Sequence, residues 1–192
     1  MDMQGNRQLA VTQQQTWDAL NDPEVLKACI PGCEKVEPAG ENQYAVAMAL
    51  KIGPVAAKFA GKINLSDLQP PQSYTIGFDG QGGAAGFGKG TAQVKLTPNE
   101  GGCDLGYTVH ASVGGKIAQL GQRLIDGAAK SLAEDFFKRF DQEMQRRFPA
   151  AYAEQAAKAP VPAPVAAGGS KIPSWVWVIV ALIVIALIWW LR

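Results

Sequence analysis

The sequence has one histidine, His110, and three cysteines, Cys29, Cys33 and Cys103. An odd cysteine count argues against a closed intrachain disulfide framework. Cys29 and Cys33 stand four apart, not at the two-residue gap of a zinc knuckle. A cysteine nucleophile needs a histidine in contact with it, and His110 falls on the outward phase of its strand. These residues are expected to be structural. Paired carboxylates set for acid–base work are missing, as are Ser/His/Asp hydrolase motifs. Glu134 and Asp135 sit beside Lys138 and Arg139, which reads as a solvated charged face. The formal net charge is only +1, without the basic stripe that nucleic acid demands, so no nucleic-acid partner is expected. The first seven residues contain no apolar segment of the signal-peptide kind. The globular part is therefore expected in the reducing cytoplasm, where thiols persist.

Gly83-Ala-Ala-Gly-Phe-Gly88-Lys89 nearly spells a phosphate-binding loop, but Gly90 stands where a Ser or Thr would reach magnesium. The residues that follow, Thr91 to Leu96, alternate like a strand and do not offer a helix N-terminus. A tight hairpin is the better reading, with Phe87 its only large side chain, suited to gate a cavity.

The chain divides into three pieces. Residues 1–148 carry the patterned sequence. Residues 149–173 are dominated by Ala, Pro, Gly and Ser, the composition of a linker. About 20 such residues, extended, reach roughly 60 Å. Residues 174–192 hold an uninterrupted apolar run, Trp175 to Leu191, with Trp175 and Trp177 at one end and Trp189 and Trp190 at the other. Its length is near the lower limit for crossing a bilayer, and paired tryptophans suit the two headgroup interfaces. The expectation is a single-pass C-terminal anchor in the inner (cytoplasmic) membrane, with the globular domain in the cytoplasm and the lipid bilayer as a partner. Lys171 and Arg192 flank both ends, so the positive-inside rule does not decide topology.

Within residues 1–148, Gly5 to Val11 reads as a strand. Thr12 and Gln15 then fit a capping box, and Asp22-Pro23-Glu24 fits the start of a second short helix. Ile30-Pro31-Gly32 makes a turn. Alternating runs follow: Tyr44, Val46, Met48, Leu50 and Ile52 share one face, as do Ala57, Phe59, Gly61, Ile63 and Leu65. Tyr74, Ile76 and Phe78 form a third set, Ala92, Val94 and Leu96 a fourth, and Leu105, Tyr107, Val109, Ala111 and Val113 a fifth. From Ile117 the period changes. Leu120, Leu124, Ala128, Leu132, Phe136, Phe140, Met144 and Phe148 recur every three or four residues, which predicts one amphipathic helix of about 30 residues, roughly 45 Å long. A helix that long is accommodated by a curved antiparallel sheet wrapped around it, an arrangement that leaves room for a cavity. The fold class is α+β.

Two stretches resemble the CoxG family of carbon monoxide dehydrogenase: Asp22-Pro23-Glu24 with Cys29-Ile-Pro-Gly-Cys33-Glu34, and Gly114-Gly115-Lys116 through Gly121-Gln-Arg123-Leu-Ile-Asp126-Gly127-Ala-Ala. The resemblance covers about residues 1 to 146. It implies the helix-grip fold, similar to START lipid-transfer domains and the birch-pollen allergen, with an apolar ligand under the long helix. It further implies a non-enzymatic accessory protein of a molybdenum-containing hydroxylase such as carbon monoxide dehydrogenase. That protein would recruit the enzyme to the membrane and connect it with respiratory quinone, menaquinone or ubiquinone, held non-covalently.

The residues expected to wall the cavity are Trp17, Leu26, Ile30, Met48, Phe59, Phe78, Phe87, Tyr107, Leu120, Leu124 and Ala128. The small residues Gly121, Gly127, Ala128 and Ala129 would leave the room. Two rival readings share the fold. One is a passive recruitment scaffold with no functional ligand. The other is an enzyme of the aromatic-cyclase kind, which would need inward polar side chains. Apart from Tyr44, Tyr74 and Tyr107, the inward sets are apolar.

Overall fold

Thr12 and Gln15 close their capping box at the start of α1 (Gln13–Leu20). The Gln15 N–H donates to the Thr12 hydroxyl at 3.2 Å, and the Thr12 N–H to the Gln15 side chain at 2.9 Å. Asp22 caps α2 (Pro23–Cys29) in the same way, accepting from the Glu24 N–H at 2.9 Å, with Pro23 in the first turn. Both helices follow β1 (Asp2–Leu9) in the computed structural model, which describes residues 1–158.

Six more strands come next: β2 (Cys33–Gly40), β3 (Gln43–Ile52), β4 (Val55–Gln69), β5 (Ser73–Gln81), β6 (Phe87–Asn99) and β7 (Gly102–Gly114). All seven form one antiparallel sheet in the order β1-β7-β6-β5-β4-β3-β2. The register places the predicted inward sets opposite one another: Met48 against Phe59, Tyr44 against Ile63, Ile63 against Phe78, Val94 against Tyr107. The curved sheet wraps a long helix, α3 (Gln122–Arg147), whose 26 residues span about 39 Å. The core lies where the C-terminal half of α3 meets the sheet. Phe140 and Met144 are fully buried there with Val11, Val25, Leu96, Leu105 and Cys103.

The structure corrects the sequence reading in four places. β1 begins at Asp2, not Gly5, and ends before Val11. β2 is not expected from the sequence, because Glu34, Lys35, Glu37 and Pro38 obscure its alternation; it is an edge strand, where charge and proline are tolerated. The predicted helix from Ile117 is interrupted. Ala118–Leu120 forms a 3-10 turn, and Gly121 adopts φ +86°, a conformation that favours glycine, before α3 begins. Finally, the stretch expected to open the linker folds as α4 (Pro149–Lys158), with Ala151 and Tyr152 against the core and the Tyr152 hydroxyl donating to Asp141 at 2.6 Å. Alanine suggests a linker by composition, yet it is the strongest helix former, and Pro149 suits a first turn.

The rest of the expected linker, from residue 159, and the expected anchor at 174–192 lie outside the described residues. Among the described residues, no helix is long and apolar enough to cross a membrane.

Asp22 does more than cap. Its second oxygen accepts from Arg147 at 2.9 Å, and Arg147 also pairs with Glu143 at 2.7 Å, which ties α2 to the end of α3. Burial acts to raise the Asp22 carboxyl, but the Arg147 hydrogen bond and the backbone bonds outweigh it and hold it below its ordinary value. The hydrogen bonds from Arg146 and then Arg147 draw Glu143 down to about 2. Both pKa values are lowered by folding. Their stabilisation is therefore complete above the ordinary carboxylate range and is lost as pH falls towards 2. Asp22→Ala is expected to cost about 1–2 kcal/mol in urea unfolding at neutral pH, through the lost cap. Asp22→Asn keeps the cap and loses only a part-exposed ion pair, at under about 1 kcal/mol. It should also shrink the drop in stability between about pH 4.5 and 2.

Candidate functional site

The concave face of the sheet and the underside of α3 do not meet over their whole length. Two apolar compartments lie between them. One, of about 250 Å³, sits beneath the N-terminal half of α3 and is walled by Met48, Phe59, Phe78, Phe87, Ile125 and Ala129 among others. The second, of about 280 Å³, sits beneath the C-terminal half, walled by Leu26, Ile30, Tyr74, Tyr107, Phe136 and Phe137 among others. Ile63 of β4 lines both. Each is near the lower bound of ligand pockets, about 300 Å³, and the pair together fall inside the usual range.

Seven of the eleven expected wall residues line these spaces. Met48, Phe59, Phe78 and Phe87 line the first compartment, and Leu26, Ile30 and Tyr107 the second. The other four do not. Trp17 is buried behind the second compartment and meets Tyr74 edge-on, ring centres 5.2 Å apart. Leu120 belongs to the 3-10 turn. Leu124 is 43% exposed. Ala128 is one residue away from the lining position, Ala129. Gly121 and Gly127 are exposed and provide no room. The helix stripe that faces the cavity is Ile125, Ala129, Leu132, Ala133, Phe136 and Phe137, at the spacing of three and four that one helix face requires. Of these, the sequence periodicity places Leu132 and Phe136 on its stripe and counts Ala129 among the small residues; it misses Ile125, Ala133 and Phe137.

The Phe87 ring lies against the β7 backbone at Gly114, where any Cβ would collide with it. The segment before it, Gly83–Ala85, is a 3-10 turn whose Ala85 carbonyl accepts from the Ile117 N–H at 3.0 Å. The hairpin thus closes one end of the first compartment against the chain leading into α3. A strand, β6, follows it and not a helix, so the phosphate-loop geometry is not formed.

The second compartment differs by carrying phenols. Tyr107 stacks on Phe137 at 5.2 Å, and Arg7 lies 5.5 Å from the centre of the Phe137 ring. The Tyr44 hydroxyl donates to the Asn21 carbonyl at 3.4 Å. Burial pushes the Tyr74 phenol above its ordinary value, and the Tyr44 phenol adds to the shift. Tyr74 therefore stays protonated at any physiological pH.

The thiols are not poised for chemistry. Burial raises all three, Cys29 to about 11, and none is oxidised; nucleophilic and ligating cysteines are lowered instead. Among the described residues no group of three metal-ligating side chains comes together. His110 pairs with Asp2 at 2.6 Å on the outer face of the sheet, where both are exposed and far from any cysteine contact.

This architecture recurs in known proteins. A family model described as carbon monoxide dehydrogenase CoxG matches residues 5–145. A conserved protein from Geobacillus kaustophilus is 37% identical in sequence, with a TM-score of 0.72; the match covers 76% of this chain and 96% of that one. A protein from Rhizobium leguminosarum aligns at 14% identity and a TM-score of 0.60 over 76% of this chain and 95% of its own. The Zhui aromatase/cyclase of a Streptomyces species aligns at 13% identity and 0.57, over 79% and 97%. The last two likenesses are of fold alone. No curated protein matches.

Proposed function

The chain belongs to the CoxG family of carbon monoxide dehydrogenase, and from that membership we propose that it serves such a molybdenum hydroxylase as an accessory protein that carries respiratory quinone. The observation that carries this reading is the pair of adjoining apolar compartments under α3, walled by hydrocarbon and three phenols. A catalyst of the cyclase kind would need ionisable groups there, and the inward side chains supply none that titrates near neutrality.

The physics of the ligand suits the site. Each buried methylene contributes about 0.8 kcal/mol, so one prenyl unit contributes about 3–4 kcal/mol to staying out of water. A protein that meets the quinone must offer apolar walls in exchange for the bilayer. An anchor in residues 174–192 would hold those walls near the bilayer at high effective concentration. The docked dehydrogenase delivers two electrons, two protons from water complete the quinol, and the quinol returns to the membrane. This chain supplies the binding walls and the docking surface, and no redox group of its own.

Organic extraction of the full-length chain purified from its own membranes, followed by mass spectrometry, is expected to return quinone in near-stoichiometric amount. A quinone-free extract from folded protein would leave membrane recruitment as the only role. Recruitment has its own readout: dehydrogenase should sediment with membranes that carry the chain and not with membranes that lack it.

A further inference from the structure

We infer that the ligand enters head first: a neutral, carbonyl-bearing head lies in the compartment under the C-terminal half of α3, fixed by a hydrogen bond from the Tyr74 hydroxyl, and the tail leaves through the compartment under the N-terminal half. This rests on the carrier reading above and adds to it the polarity of binding and the class of head group.

The two compartments are unlike. The one under the N-terminal half of α3 has no side-chain hydroxyl in its wall; Lys62 and the Met1 amine are its only polar groups, and that amine is already spent on the Ala111 carbonyl at 2.9 Å. The other holds Tyr44, Tyr74 and Tyr107 and no charged side chain. Two of the three phenols have other neighbours. Tyr44 donates to Asn21, and the Tyr107 hydroxyl lies over the β1 backbone at Gly5. Tyr74 is 4% exposed, lines the compartment, and its hydroxyl has no hydrogen-bond partner among the described residues. Buried polar groups are almost always paired, and leaving one unpaired is costly. The edge-on contact with Trp17 holds the ring in place. A fixed O–H donor that faces an apolar space is complementary to an acceptor that the ligand brings.

The chemistry narrows that acceptor. Without a lysine, arginine or histidine in the wall, an anionic head such as a carboxylate or phosphate would be buried without a counter-charge, which is strongly disfavoured. A protonated phenol offers little to a cationic head. A quinone or ester carbonyl fits. Size agrees: a cavity of about 150 Å³ holds a benzene, so about 280 Å³ takes a substituted ring and little more. A long tail has to pass into the other compartment and out of it. That exit has a marker. Leu124, 43% exposed, is the one large exposed hydrophobic residue among the described ones, and it stands beside Gly53 at the β3–β4 turn, next to the lining residue Ile125. Head-first entry leaves the outer tail free to remain in the bilayer.

The test uses the full chain in detergent with two probes, a short-alkyl benzoquinone and the alkylbenzene of matching shape that lacks the carbonyls, measured by equilibrium dialysis. Wild type is expected to prefer the quinone. Tyr74→Phe should weaken the quinone about five- to tenfold, the worth of one net hydrogen bond, and leave the alkylbenzene unchanged, while Tyr44→Phe changes neither by more than about twofold. Unchanged quinone affinity in Tyr74→Phe, or an equal loss for both probes, overturns the assignment while leaving the carrier reading in place. A fatty acid that binds wild type as tightly as the quinone overturns the neutral-head class. If neither probe binds folded wild type, the carrier reading itself fails and this inference with it.

Discussion

Ala129→Trp is expected to abolish ligand uptake, with a loss of at least about a hundredfold in affinity, and to leave the fold intact. Ala129 lines the compartment under the N-terminal half of α3, opposite Met48, Phe59 and Phe78 of the sheet. That space is about 250 Å³, and a benzene occupies about 150 Å³ of cavity, so an indole, larger than benzene, takes up most of it. Overpacking a filled core costs about 1–3 kcal/mol, but here the added ring enters a vacancy and buries its own apolar surface, so the melting temperature should hold or rise. Ala128→Trp is the control. One residue along α3 the side chain is turned by about 100°, away from the lining stripe, and quinone content on extraction should match wild type. Equal depletion of quinone in both variants, or in neither, would count against the compartment as the binding site.

That contrast also shows what was legible in the sequence and what was not. Strand positions were legible because their period is two and does not drift: Val46, Met48, Leu50, Ile52, Phe59, Ile63, Ile76 and Phe78 all face the compartments as their alternation predicts. The helix was legible in kind and not in phase. A strict step of four residues precesses by about 40° per step on a helix of 3.6 residues per turn. A stripe aligned on Phe140, which is buried, is therefore about 120° out by Ala128 and about 160° out by Leu124. Leu124 is accordingly exposed, and Ile125 and Ala129 take the inward positions. Gly121 hides the problem further, because its positive φ restarts the helix inside what reads as one continuous periodicity. Asp22 was legible as a cap, whereas its tie to Arg147, 125 residues away along the chain, exists only once α2 and the end of α3 are brought together. Tyr74 stands in the inward set by its alternation, but only the packed structure shows that its hydroxyl lacks the partner that Tyr44 has.

Phe140→Ala should be the most destabilising single truncation in the domain, at about 3–5 kcal/mol, and should lower the melting temperature by on the order of 10 °C. Phe140 is fully buried and stacks on Phe136 at 5.8 Å, with Met144 one turn further along, also fully buried. This part of α3 is packed on the core formed by Leu96, Leu105, Val11 and Val25, so removing the ring opens a cavity that rigid strands cannot close. The N-terminal half of the same helix lies over the ligand space and contributes less. Leu124→Ala, at a position already 43% exposed, should cost under about 1 kcal/mol, as surface changes do. The two halves of α3 thus divide the work, one closing the core and the other roofing a space that stays open. Ligand should accordingly protect the N-terminal half in hydrogen exchange and leave the slow amides around Phe140 unchanged. Strong ligand protection around Phe140, or a small cost for Phe140→Ala, would show that the helix is held along its whole length by the ligand and not by its own core.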